Sequence, residues 1–526
     1  MQTSTPSPSL NKPLILTLLI IFSLLPISTL TSPVPNYDLS SAPLDPTKTG
    51  FTISGGLSSS ALGWSVSTAG DIDKDGYSDV IIAAAYYEAL RGAAYVLYGG
   101  PESSFTNLTL SSTLNPLTTG FTILGEASNA MFSYSVSTAG DVNNDGYSDI
   151  IIGTYGKEMA YIIYGGPRSS FQNLDLSSVT LDPMTTGFTV TGIAGDNFGS
   201  SVSTAGDVNN DNYDDIIIGA PKAPAAYVIY GGPKTSLPNL DLNVTPLDPL
   251  TNGFFVDGTI VNFGISVSTA GDVNNDNYDD IVIGAIGNFG QRGAAYLIYG
   301  GPNTSLANIN LHVETLDPLS NGFKMSGNAA NDYFGWSVST AGDVNNDGYS
   351  DIIIGAYPKN SNQGAAYLIY GGPKTSLPNI DLNAAALNPL SNGFTMTGDA
   401  PGDYFGYSVS TAGDVNNDGY ADILIGGRGR NTFQGILYVV YGGPKTSLPN
   451  LAFSSIQLDP ATTGFKIVGN AQQDYFASSV STAGDVNNDG YDDIIIGALQ
   501  KDSLKGAAYI VHSSKFLFHS SLSLLF

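Results

Sequence analysis

The string Ser-Thr-Ala-Gly-Asp occurs seven times in this 526-residue chain, its Asp falling at Asp71, Asp141, Asp207, Asp272, Asp343, Asp414 and Asp485. The intervals run from 65 to 71 residues. One supersecondary unit is therefore repeated seven times, and length alone, which would allow three or four average domains, does not set the domain count.

Each unit reads as short β-strands between turn signals. In the fifth copy they are Gly322 to Gly327, Trp336 to Ala341, Asp351 to Gly355 and Ala365 to Tyr370. Gly-Gly-Pro follows the last of these in six copies, where Pro stops the strand. No stretch holds a 3.6-residue period. Four antiparallel strands repeated radially form the blade of a propeller, so the fold predicted is an all-β, seven-bladed β-propeller.

Closure can be read from chain order. The first strand met, Phe51 to Gly55, is of the type that completes each unit, whereas the last copy stops after Ala507 to Val511. The N-terminal strand is expected to pair beside Ala507 to Val511, leaving the ring without an open edge. An open solenoid would hold these segments apart.

Residues 1–32 contain Lys12 and an apolar run from Leu14 to Ile27, which reads as a secretory signal or an N-terminal anchor. The propeller is expected over 33–512, with an apolar tail over 513–526. A secreted or cell-surface location follows, with membrane contact only through an uncleaved N-terminal segment. The sequons Asn107-Leu-Thr109, Asn243-Val-Thr245 and Asn303-Thr-Ser305 could then carry glycans.

A formal charge of −27 argues against nucleic acid as a partner. The absence of Cys excludes a disulfide framework and a thiol nucleophile, and three His (His312, His512, His519) do not make a multi-His metal centre.

More than half of the 46 acidic residues lie in the seven segments that open at each repeated Asp. There every copy reads Asp-x-[Asp/Asn]-x-Asp-[Gly/Asn]-Tyr-x-Asp. Position 3 is Asp73, Asn143, Asn209, Asn274, Asn345, Asn416 or Asn487, and position 5 is Asp75, Asp145, Asp211, Asp276, Asp347, Asp418 or Asp489. Position 7 is Tyr77, Tyr147, Tyr213, Tyr278, Tyr349, Tyr420 or Tyr491, and position 9 is Asp79, Asp149, Asp215, Asp280, Asp351, Asp422 or Asp493. Oxygen side chains at 1, 3, 5 and 9 with a backbone carbonyl at 7 can wrap a hard cation, and calcium suits that donor set best. Magnesium wants a tighter octahedron and zinc would want His or Cys.

Position 6 is Gly in five copies and Asn212 or Asn277 in the others, all tolerant of positive φ. An EF-hand is excluded, because its twelfth position should be Glu and here, counting from Asp485, it is Ile496. A good turn needs only one or two such residues. Three carboxylates repeated seven times would repel one another without a counter-ion, so up to seven structural Ca2+ are expected.

These motifs resemble the FG-GAP repeats of the integrin α-subunit head. Phe198-Gly199 precedes the Asp207 loop and Gly219-Ala220-Pro221, and Phe-Gly recurs at Phe263-Gly264, Phe334-Gly335 and Phe405-Gly406. Leu62-Gly63, Phe132-Ser133 and Phe476-Ala477 are variants, while Gly-Ala recurs at Gly284-Ala285, Gly355-Ala356 and Gly497-Ala498. The match runs from about Asp38 to Val511. The resemblance implies a seven-bladed propeller with calcium on its lower rim and ligand on the opposite face. Integrin α chains usually carry the acidic loop in only some blades and continue into further domains, so receptor heterodimerisation and transmembrane signalling are not implied.

Strand parity places the acidic hairpins and Gly-Gly-Pro on one rim. The opposite rim receives the segments that vary most among copies, including 83–92, 398–404 and 426–435. Tyr86, Tyr87, Arg292, Tyr357, Arg428 and Arg430 are the candidates there for an extracellular protein or glycan ligand. No catalytic constellation is evident, since the conspicuous acids belong to the loops. The leading expectation is a non-catalytic adhesion or binding module, and the alternative is a calcium-dependent lectin or hydrolase acting on carbohydrate or lipid.

Overall fold

The computed structural model describes residues 37–110, 113–287 and 292–513. The signal-like segment 1–32 and the tail 514–526 lie outside them. Seven five-stranded sheets form the blades of a closed propeller. In the first blade the strands run outward from the axis as Leu62–Gly70, Asp79–Ala84, Ala93–Leu97 and Gly120–Leu124, antiparallel to one another.

The strand sequences follow from their place in the wheel. Asp79–Ala84 and its equivalents are buried along their whole length because another blade packs on each face. Alternate side chains serve different neighbours: Ile81 packs with Phe132 and Ile150 of the second blade, whereas Ile82 packs with Ile495 and Ile510 of the seventh. Each of the seven apolar clusters is thus shared by two blades. Toward the axis the innermost strands lie side by side, so they use the small residues Ser, Thr, Ala and Gly.

Gly140 illustrates that crowding. Its φ is +76°, and a Cβ there would sit 2.2 Å from Oδ2 of Asp214 in the next blade. The Gly of the Phe-Gly position meets the same crowding: at Gly63, φ +81°, a Cβ would sit 2.2 Å from the Ala507 carbonyl oxygen. Ser133 occupies the equivalent place at φ +64° and donates its hydroxyl to the Ala93 carbonyl at 2.7 Å.

Closure is as predicted. Gly50–Gly55 pairs antiparallel with Ala507–Val511, with Phe51 opposite Ile510 and Ile53 opposite Ala508. A fifth strand, of two or three residues, adds to the four expected in every blade. It runs parallel to the fourth and comes from a distant segment: Leu174–Asp175 for the first blade, Tyr37–Asp38 for the sixth, Leu108–Leu110 for the seventh. The asparagine beside it acts as a latch, as where Asn107 Oδ1 accepts the Thr52 amide at 2.8 Å and Asn173 Oδ1 the Thr122 amide at 2.7 Å. Among the described residues no helix is long and apolar enough to cross a membrane.

Candidate functional site

Each acidic loop joins the innermost strand to the second, and the local chemistry fixes its shape. The position 1 carboxylate takes one amide on each oxygen: in the first loop Asp71 Oδ1 accepts the Asp75 N–H at 3.0 Å and Oδ2 the Gly76 N–H at 2.9 Å. Position 5 accepts the N–H of position 7, as Asp75 does from Tyr77 at 3.1 Å. Position 6 has positive φ throughout, from Gly76 at 90° to Asn277 at 68°. Position 4 does too, with Asn in six copies at 52° to 56° and Lys74 at 58°, a second left-handed residue that the sequence reading passed over.

Position 9 is fully buried in all seven loops. Its carboxylate accepts the position 2 amide on one oxygen and the first residue of Gly-Gly-Pro on the other, at 2.7 to 3.3 Å, with Ser513 standing in for that glycine in the seventh loop. Burial pushes these acids upward, Asp351 and Asp422 to about 8. Asp493 rises less, to about 6, because burial is opposed there by His512 and the Ser513 amide. A neighbouring cation would counter such desolvation.

Position 3 is where the donor set can be tested. The Asn143, Asn274, Asn345 and Asn487 amides donate Nδ2 to the position 9 carboxylate at 3.0 to 3.2 Å. That turns Oδ1 away from the carboxylate. In all six asparagine copies Oδ1 is buried without a hydrogen-bond partner in the protein. Such an oxygen is costly unless something electropositive meets it. In the first loop, with Asp73 at this position, one oxygen each of Asp71, Asp73 and Asp79 lie within 4.8 Å of one another. The residues present fit a hard divalent cation.

The loops are also bolted to one another. The position 8 amide donates to the position 1 carbonyl of the preceding blade in every copy, from Ser148 to Asp71 at 3.2 Å around to Ser78 and Asp485 at 3.1 Å. Asp214, Asp279 and Asp492, also at position 8, return the bond by accepting the amides of Asp141, Asp207 and Asp414 at 2.7 to 2.9 Å. The second Gly of Gly-Gly-Pro donates to the preceding loop, Gly166 to the Ile72 carbonyl at 2.9 Å. The cation after Pro clasps the preceding position 5: Lys234, Lys374 and Lys445 reach Asp145, Asp276 and Asp347 at 2.7 to 2.8 Å, and Arg168 reaches Asp73 and Asp75.

The opposite rim is unlike this one. In four blades its turn contains three consecutive non-glycine residues in the left-handed region, at 88–90, 360–362, 431–433 and 502–504, with φ from 44° to 71°. Strain of that kind, costing roughly 1–2 kcal/mol per residue, is held in place by the surrounding structure.

Of the rim candidates, the structure gathers three at the mouth of the central channel. Tyr86 lies tilted against Trp64 (4.9 Å between centroids), Tyr357 meets Trp336 edge-on (4.7 Å), and the Arg428 guanidinium lies 3.7 Å from the Tyr407 centroid. Tyr87 packs into the core between the first and seventh blades instead. Arg292 pairs with Asp381 at 2.8 Å, and Arg430 with Asp399 at 2.7 Å and Asp403 at 3.0 Å. The sequence reading missed Trp64, Tyr134, Trp336 and Tyr407, although the signal was present: each follows the Phe-Gly pair or its variant and so lies within two residues of the start of an innermost strand. Seven of the nine serines that line the channel with this aromatic ring bond to the next blade, while the Ser200 and Ser478 hydroxyls have no partner among the described residues. Ser65, Ser135, Ser201, Ser266 and Ser479 accept a valine amide of the next blade at 3.0 to 3.2 Å, and Ser337 and Ser408 donate to its carbonyls at 3.1 and 2.9 Å.

The FG-GAP repeat family model matches this chain at 62–97, 132–164, 198–232, 263–298, 334–369, 405–440 and 476–511. Among curated proteins, integrin alpha-V of Gallus gallus is 29% identical over 237 residues, covering 43% of this chain and 20% of that protein. Integrin alpha-5 of Xenopus laevis is 24% identical over 311 residues, 56% of this chain and 27% of that protein. The phosphatidylinositol-glycan-specific phospholipase D of Bos taurus is 33% identical over 175 residues, 31% of this chain and 18% of that protein. The matched region therefore spans about a fifth to a quarter of each relative's length.

Proposed function

Because this chain belongs to the FG-GAP, integrin-α-like β-propellers, we propose that it is a secreted or cell-surface binding module, braced by calcium on one rim and engaging its ligand on the other. The observation that carries this reading is the contrast between the rims. One repeats a single acidic loop seven times, while the other changes from blade to blade and opens on an aromatic channel mouth.

Calcium would be held by the side chains at positions 1, 3, 5 and 9 and the carbonyl at position 7, supplying the charge that offsets three clustered carboxylates. The position 3 amide oxygens left unpartnered in six loops support this assignment. The chain's own groups do the rest. Position 9 ties its loop to the Gly-Gly-Pro turn, and the position 8 amide and the second glycine of that turn tie it to the preceding blade. Ordering one loop therefore orders its neighbours, and a rigid ring presents the opposite rim with little entropy left to lose on binding.

The partner class is an extracellular protein or glycan. Immobilised protein probed against extracellular-protein and glycan arrays, with calcium and with chelator, tests the reading: capture should require calcium and fall when Trp336 is replaced by Ala. Product formation from a captured ligand would instead support the calcium-dependent hydrolase reading.

A further inference from the structure

We propose that the channel mouth at Arg428 takes an acidic side chain from a protein partner, a proposal that rests on the binding rim described above and names the chemistry it recognises. The chain has five arginines. Four pair with carboxylates: Arg91 with Asp175 and Glu88, Arg168 with Asp73 and Asp75, Arg292 with Asp381, and Arg430 with Asp399 and Asp403. Among the described residues Arg428 pairs with none, in a molecule whose formal charge is −27.

Arg428 lies over the ring of Tyr407, 3.7 Å from its centroid, and 5.6 Å from that of Tyr475. Its Nε is buried without a hydrogen-bond partner. A cavity of about 270 Å3 opens beside it, walled by Trp64, Tyr134 and Tyr475 with Gln500 at the edge. It shares Trp64, Tyr134 and Tyr407 with a second cavity of about 460 Å3 over the channel, so the two form one concave mouth.

Aromatic rings in such a ring attract a cation, and here the chain supplies the cation itself. The complementary group is then an anion. A guanidinium stacked on one face keeps its N–H edge for a planar carboxylate, which it can hold with two parallel bonds. The rest of the mouth favours protein over sugar. A saccharide needs many hydrogen-bond partners, but seven of the nine serines lining the mouth are already bonded between blades, which leaves only the Ser200 and Ser478 hydroxyls among them. Trp, Tyr and Arg around a partly enclosed cavity are the composition of a protein-binding hot spot.

The probes are nine-residue peptides with a central Asp or Glu among aliphatic residues, their Asn, Gln and Lys counterparts, and sialyllactose and glucuronate, all titrated onto the full chain in calcium. The Asp or Glu peptides should bind, and Arg428→Gln should weaken them about tenfold or more, a loss matched by the Asn or Gln peptides on the unaltered protein. Arg428→Lys, which keeps the charge but not the planar fork, should recover only part of the affinity. Thermal melts of both variants check that the ring still folds. Preference for the Lys peptide, equal binding by Arg428→Gln, tighter binding of the acidic sugars, or no binding by any acidic peptide would overturn the proposal. Peptide binding lost in Trp336→Ala but intact in Arg428→Gln would overturn it while leaving the binding-rim reading in place.

Discussion

The Ser78 amide donates to the Asp485 carbonyl at 3.1 Å, so the first acidic loop of the chain is fastened to the last. Gly100 adds a second bond from the first Gly-Gly-Pro turn to the Val486 carbonyl at 2.9 Å. On the outer side, Gly50–Gly55 completes the seventh blade and Tyr37–Asp38 the sixth. Chain ends and loops close the same ring by separate means.

A closed ring unfolds as a whole, so damage at the seam should be felt everywhere. Ile53 is fully buried on the closing strand. Ile53→Ala should cost about 2–5 kcal/mol and lower the urea midpoint of a single cooperative transition. Loss of only a small early phase, with the main transition unmoved, would mean that the seam does not bind the ring together.

Position 4 of the loop offers a stabilising change. Lys74 holds φ 58° where the other six copies use Asn, a conformation that costs a side chain such as Lys about 1 kcal/mol more than it costs Gly. Lys74→Gly should raise the melting temperature, with Lys74→Asn close behind, whereas Asn346→Ala should lower it. Differential scanning calorimetry reads all three, and a destabilised Lys74→Gly would contradict the conformational argument.

The clasp after Gly-Gly-Pro competes with a metal for the same carboxylate. Lys234 Nζ lies 2.8 Å from Asp145 Oδ2, with both side chains partly exposed. Lys234→Met should therefore raise calcium affinity at the second loop severalfold while changing stability in chelator by less than about 1 kcal/mol. Isothermal titration of the variant beside the parent protein measures the affinity and a urea transition in chelator the stability, and a weakened second loop would show that the lysine assists binding instead.

What the sequence made legible was whatever repeats within one unit. Seven identical frames exposed the blade, the hairpin, the glycine at position 6 and the strand needed at the seam. Less legible was what one unit does to the next. Nothing in a single copy says that Ser148 will reach back to Asp71, or that Asp214 will accept the Asp141 amide, because each partner lies a full repeat away. The bonds of Asp79 and its equivalents were hidden for another reason: the Ile72 and Gly99 amides it accepts lie in the same unit, but only the folded blade brings the loop and the Gly-Gly-Pro turn to one buried carboxylate. On the opposite rim the ring of Trp64, Tyr134, Trp336 and Tyr407 converges only when the innermost strands are brought around one axis. Arg292 and Arg430, equally prominent in the sequence, are drawn instead to acids nearby.

The unpartnered amide oxygens of position 3 should also have a measurable consequence. Asn345→Leu keeps the volume but removes Oδ1, so its melting temperature should fall more in calcium than in chelator. Equal losses in both would assign Asn345 a purely structural role.

Native mass spectrometry of the purified protein, titrated with calcium, tests the central claim most directly. The account predicts saturation at seven bound ions and one fewer in Asp489→Ala. Spectra showing no bound metal at saturating calcium, or an unchanged count in that variant, would contradict it.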